Sequence, residues 1–169
     1  MADPKQVIAH FRKWEGLYSD DKDDAGKCTM IGVTIATYQK YFGKDKTCED
    51  LKHITEEEWL EIFKDGYWKP WKADEIKNQS IALLVVDMGW GSGPKTAIKK
   101  VQATLGLKAD GIVGPKTLAA LNANPSAGVF RKLWIMRYQW LIEISKKGNN
   151  KKFLRGWHNR LNDIKYRMI

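Results

Sequence analysis

Only two of the 169 residues are cysteine and three are histidine, too few for a disulfide-dense scaffold or a histidine-rich metal centre. His10, His53 and His158 lie far apart with no paired ligand spacing, which argues against a zinc amidase; neither a metal site nor a cofactor is expected. No apolar run exceeds Ile81 to Val86, far short of a bilayer span, so stable membrane insertion is not expected. The opening Met1-Ala2-Asp3-Pro4 lacks the basic-then-apolar pattern of a signal peptide. There is no internal repeat and no low-complexity tract. Acidic residues are sparse in the C-terminal half, whereas Asp20, Asp21, Asp23 and Asp24 crowd one short stretch near the N-terminus. Cys28 and Cys48 can pair or stay reduced.

What is present is positive charge and tryptophan. Lys and Arg number 29 against 20 Asp and Glu, a net charge of +9, which points to an anionic partner: nucleic acid, membrane surface or cell-wall polymer. No basic helix carries the Arg/Asn pattern that reads base edges, so nucleic acid is not the expected partner. A hydrophobic content of 43% with 29% charged residues is ordinary for a globular chain, and this length makes one domain or two small lobes. Eight tryptophans exceed what such a core needs. Flat aromatic rings with polar tips suit the apolar faces and hydroxyl edges of sugars.

Helical periodicity dominates. Val7, Ile8, Phe11 and Trp14 follow Asp3-Pro4 and Gln6, a capping-box start, and Gly16 is placed to end that helix. Thr34 caps a second helix that stops at Gly43. Thr55-Glu56-Glu57-Glu58 opens a third with Trp59, Ile62 and Phe63 on one face. Ile81 to Met88 is apolar all round and reads as a central buried helix. Gly89 to Pro94 reads as a turn before a helix through Ala97, Ile98, Val101 and Leu105. The longest helix spans Gly128 to Lys146, and Phe153 to Ile164 trace a final amphipathic one. The fold class is mainly α, with at most a small β element near residues 29–33. We expect a boundary after residue 88, dividing the chain into lobes 1–88 and 89–169.

Glu15 is a candidate for acid chemistry, or else a solvated last-turn residue. It ends the first helix beside Trp14 and is followed by the aspartate-rich loop. Negative charge is disfavoured at a helix C-terminus, and a general acid must arrive protonated. The run Glu15-Gly16-Leu17-Tyr18, then Asp20-Asp21, Asp24-Ala25-Gly26, Thr29 and Gly32-Val33-Thr34 resembles glycoside hydrolase family 108 without a gap. The Glu15, Asp24, Thr29 spacing is also similar to that of phage lysozymes. The resemblance continues from Gly66-Tyr67-Trp68 through Asp87, Gly93-Pro94-Lys95-Thr96-Ala97 and Leu107 to Leu118, closing on Phe153 to Arg160, a part similar to that family's peptidoglycan domain. Departures include Leu17 for a glycine, and Gly91 where the family commonly has asparagine.

The resemblance implies a lysozyme-like fold of two helical lobes sharing a core, and an N-acetylmuramidase in which Glu15 is the catalytic acid. It implies cleavage of the β-1,4 bond between N-acetylmuramic acid and N-acetylglucosamine in peptidoglycan, without a cofactor. Asp24 is the candidate base or electrostatic stabiliser, or else a structural turn residue. Thr29 could orient the water, or cap a turn. Tyr18, Trp68 and Trp90, in or beside loops, are candidate sugar platforms. Asp87, a carboxylate in an apolar run, is either a sugar contact or a buried structural cap. A monomer acting at the bacterial envelope is expected, exported by a holin or another route, or cytoplasmic until release. The alternative is a non-catalytic wall-binding or secretion-associated protein of the same fold.

Overall fold

Pro4–Val7 form a 3-10 turn that leads into α1 (Ile8–Glu15), and Gly16 at φ +72° ends it. The α-helix proper thus starts at Ile8, with no side-chain cap at Val7. This computed structural model describes residues 1–20 and 28–168. The chain groups into two compact units, Pro4–Asp65 and Met1–Asp3 with Gly66–Ile169.

In the first unit, β1 (Tyr18–Asp20), β2 (Cys28–Met30) and β3 (Val33–Thr34) form an antiparallel sheet in that order. Tyr18 pairs with Met30, Ser19 with Thr29, and Thr29 with Thr34. Ile31 and Gly32 make the β2–β3 turn, both at positive φ, as a two-residue type I′ hairpin turn requires. For a β-branched residue this conformation is strained. Ile31 is held there by burial and by the Trp59 indole, which donates to its carbonyl at 3.1 Å.

Three threonines open the helices that follow. Thr34 accepts from the Thr37 amide to start α2 (Ile35–Phe42), and Gly43 stops it. Thr47 and Asp50 form a capping box on α3 (Cys48–Lys52), and Thr55 and Glu58 do the same on α4 (Glu56–Phe63). Capping is read locally from sequence, which is why the starts at Thr34 and Thr55 fall where expected, whereas the five-residue α3 was not anticipated. Phe11, Trp59 and Phe63 pack ring against ring in the core, Trp59 and Phe63 stacked at 4.8 Å. A Cys28–Cys48 disulfide ties β2 to α3. Closing a loop of this size stabilises the fold by about 3 kcal/mol.

The second unit is helical. After a π-helical turn (Lys64–Trp68) and 3-10 turns at Lys69–Trp71 and Ala73–Glu75 comes α5 (Gln79–Ser92). Asn78 caps α5 through the amides of Ser80 and Ile81, and its amide nitrogen donates to the Arg167 carbonyl. Residues 84–89 of α5 are all buried, as its uniformly apolar pattern demands. Gly89-Trp90-Gly91 is helical rather than a turn, so the boundary expected after residue 88 falls inside α5. The reason is packing: a Cβ on Gly89 would meet the Trp71 indole nitrogen at 3.1 Å and Pro94 Cα at 3.4 Å. Glycine here serves close approach rather than chain reversal.

Helices α6 (Pro94–Thr104), α7 (Pro115–Leu121), α8 (Ser126–Ser145) and α9 (Leu154–Asp163) complete the unit. The Asp110-Gly111-Ile112 loop between α6 and α7 is organised by buried Gln102. Its amide nitrogen donates to Asp110, to the Ile112 carbonyl and to Thr117, and its oxygen accepts from the Gly111 amide. Asp110 in turn accepts from the Ile112 amide. These bonds hold the Asp110 carboxyl below its usual range, the backbone amide contributing most.

Candidate active site

Glu15 is the last residue of α1 and is half-buried, as is Trp14. Gly16 and Leu17 then lead directly into β1, so the hairpin sheet begins three residues after the carboxylate. Asp24 lies outside the described residues. Thr29 and Tyr18 both belong to the sheet, but the register separates them. Directly paired residues share a face and neighbours along a strand alternate. Ser19, Thr29 and Thr34 therefore line one face, and Tyr18, Met30 and Val33 the other. On the tyrosine face, the Lys52 ammonium sits 4.8 Å over the Tyr18 ring. The hydroxyl face was not legible from sequence. Its signal is an Ser/Thr set that becomes visible only once the register is known. Thr34 on that face is committed to capping α2, where its hydroxyl also bonds Thr37.

In the second unit, Trp68 is 1% exposed and its indole donates to Asp74 at 2.9 Å. The expected sugar platform is a core residue, because the π-helical turn directs the ring inward. Trp90 remains half-buried on α5 and packs at 4.5 Å on Tyr67.

Asp87, also on α5, is almost fully buried and binds Arg160 of α9, with Nε at 2.8 Å and Nη2 at 2.7 Å from one carboxylate oxygen. Arg137 of α8 completes the group. It is 8% exposed, donates to the Ser92 hydroxyl, and lies over the Trp140 ring at 4.6 Å. Burial lowers the Arg137 guanidinium to about 10, Asp87 opposing that fall and Arg160 adding to it. Asp87 thus pairs with Arg160 while its charge also acts on Arg137, which favours the structural reading of Asp87 over a sugar contact. A Cβ on Gly91 would come within 3.3 Å of Arg137 Nη2, so the departure at Gly91 borders this cluster.

Sequence reasoning missed Arg137. A signal was there: Leu133, Arg137 and Leu141 recur every four residues, which puts a cation on a buried stripe. Among the described residues, no three of His, Cys, Asp and Glu gather closely enough to hold a metal ion. No described helix is long and apolar enough to cross a membrane.

The fold is mainly α, of lysozyme-like architecture. Residues 8–93, just over half of the chain, match the family model Glycosyl hydrolase 108, and the chain belongs to that family. Residues 96–162 match the model described as Predicted Peptidoglycan domain. The structure of Brucella abortus SagA is similar, with a TM-score of 0.75 at 27% sequence identity, covering 95% of this chain and 90% of that one. No curated protein matches the chain.

Proposed function

We propose that this chain is a peptidoglycan N-acetylmuramidase, cleaving the β-1,4 bond between N-acetylmuramic acid and N-acetylglucosamine with Glu15 as general acid. The observation that carries the reading is the family match across residues 8–93, combined with a half-buried carboxylate at the junction of α1 and β1. Glu15 donates its proton to the departing glycosidic oxygen as the bond to the anomeric carbon breaks, and water supplies the new hydroxyl. Asp24 acts as base or as electrostatic partner of the developing positive charge. Thr29, on the hydroxyl face of the sheet, orients the water. The match of residues 96–162 to a peptidoglycan domain supports the polymer as substrate. The Cys28–Cys48 disulfide supports action in the oxidising envelope rather than the cytosol.

Mass spectrometry of digested sacculi tests bond and activity together. New reducing ends at N-acetylmuramic acid are expected from the parent chain. The Glu15→Gln variant should release none while keeping its helicity and its binding to sacculi. Asp24→Asn should cost less than Glu15→Gln. Lysis by Glu15→Gln at the parental rate removes Glu15 as the acid. Binding by the parent chain without any new reducing end supports the non-catalytic wall-binding alternative.

A further inference from the structure

Between Glu143 and Asp163 the chain has no acidic residue. The intervening corner runs from the end of α8 through a turn at Gly148, a 3-10 segment Asn150–Phe153, and into α9. Lys146, Lys147, Lys151, Lys152 and Arg155 are all exposed there. None of the five forms an ion pair among the described residues. In their midst Phe153 is 47% exposed, with the Lys152 ammonium 4.9 Å over its ring and Trp157 at 5.9 Å.

We propose that this corner docks peripherally on an anionic lipid membrane, the cations meeting headgroup phosphates and Phe153 entering the layer beneath. Charge alone would suit any polyanion. The exposed ring decides for lipid: phenylalanine carries no polar tip to meet the hydroxyl edges of a sugar, whereas the headgroup boundary accepts aromatic rings flanked by lysines. Each cation close to an anionic leaflet strengthens attachment by about fivefold. The absence of a spanning helix among the described residues is consistent with surface contact alone. The proposal goes beyond the muramidase reading and does not rest on it, because none of these residues belongs to the unit that holds Glu15.

Sedimentation of the full chain with vesicles provides the test, using phosphatidylcholine alone and phosphatidylcholine mixed with phosphatidylglycerol. Binding is expected only to the mixed vesicles. Reversing two exposed charges, Lys147→Glu with Lys151→Glu, should weaken it by at least about a hundredfold. Phe153→Ser, which leaves the charge unchanged, should weaken it by about tenfold. The Glu15→Gln variant should bind the mixed vesicles like the parent, so a failure here is distinguishable from a failure of the catalytic assignment. Absence of binding to the mixed vesicles overturns the proposal. So does a charge-reversed variant that binds like the parent. If Phe153→Ser binds like the parent while charge reversal abolishes binding, the corner reads soluble polyanions instead, and the membrane assignment falls.

Discussion

Asp87 is an almost fully buried carboxylate paired with Arg160, and removing its charge takes a counter-charge from that half-buried guanidinium. Breaking a buried pair by deleting one partner costs about 3–5 kcal/mol, mostly because the surviving charge stays desolvated. Asp87→Asn should therefore lower stability to urea by an amount in that range. Adding Arg160→Met should recover part of the loss by removing one stranded cation. If Asp87→Asn unfolds at the parental midpoint, the cluster is not structural and the sugar-contact reading of Asp87 returns. The same residues show what sequence can and cannot disclose at this scale. Asp87 stood out because it interrupts an apolar run. Its partners did not, because arginines at positions 137 and 160 look solvent-facing until three helices bring them together. Trp68 failed as a sugar platform for a related reason: it reads as a residue in or beside a loop, yet it ends a π-helical turn and is buried.

Helix α2 is tied to α4 by one hydroxyl. Tyr38, 2% exposed, donates to both carboxylate oxygens of Glu58 at 3.1 Å, and Glu58 is also the capping-box carboxylate of α4. Burial first, then the hydrogen bond and charge of Glu58, push the Tyr38 hydroxyl up from its ordinary 10 to about 12. Between pH 10 and 12 the unfolded chain releases this proton while the folded chain keeps it. The stabilisation is thus complete below pH 10 and is lost as pH rises through 12. Tyr38→Phe should lose about 1 kcal/mol at neutral pH with the hydrogen bond. It should also show a shallower decline of urea midpoint between pH 10 and 12 than the parent. An unchanged slope would mean that Tyr38 does not titrate in that window. The caps on α2 and α4 were legible because four consecutive residues define them. Strand β1 was not, since three residues give too little alternation to register. The extension of α5 through Gly89 and Gly91 depended on contacts with Trp71 and Arg137 that no local window contains.

Charge is divided unequally between the two units. Residues 4–65 hold 10 Lys and Arg against 13 Asp and Glu, while the remainder holds 19 against 7. The excess of acid thus accompanies Glu15, and the excess of base accompanies the region matched to a peptidoglycan domain. Attachment to an anionic wall is accordingly expected to reside in the second unit and to be screened by salt. Raising ionic strength from 0.1 to 1 M shortens the Debye length from about 10 Å to about 3 Å, which suppresses attraction between exposed charges. The Glu15→Gln variant allows binding to be followed without digestion. Its pelleting with sacculi should fall steeply across that salt range. Reversing exposed Lys116 and Lys132 in the second unit should weaken pelleting at low salt, whereas reversing exposed Lys40 and Lys44 in the first should change it little. Salt-insensitive pelleting would instead assign recognition to uncharged contacts such as aromatic stacking on sugar rings. Equal losses from the two pairs would mean that net charge, rather than its partition between units, holds the chain on the wall.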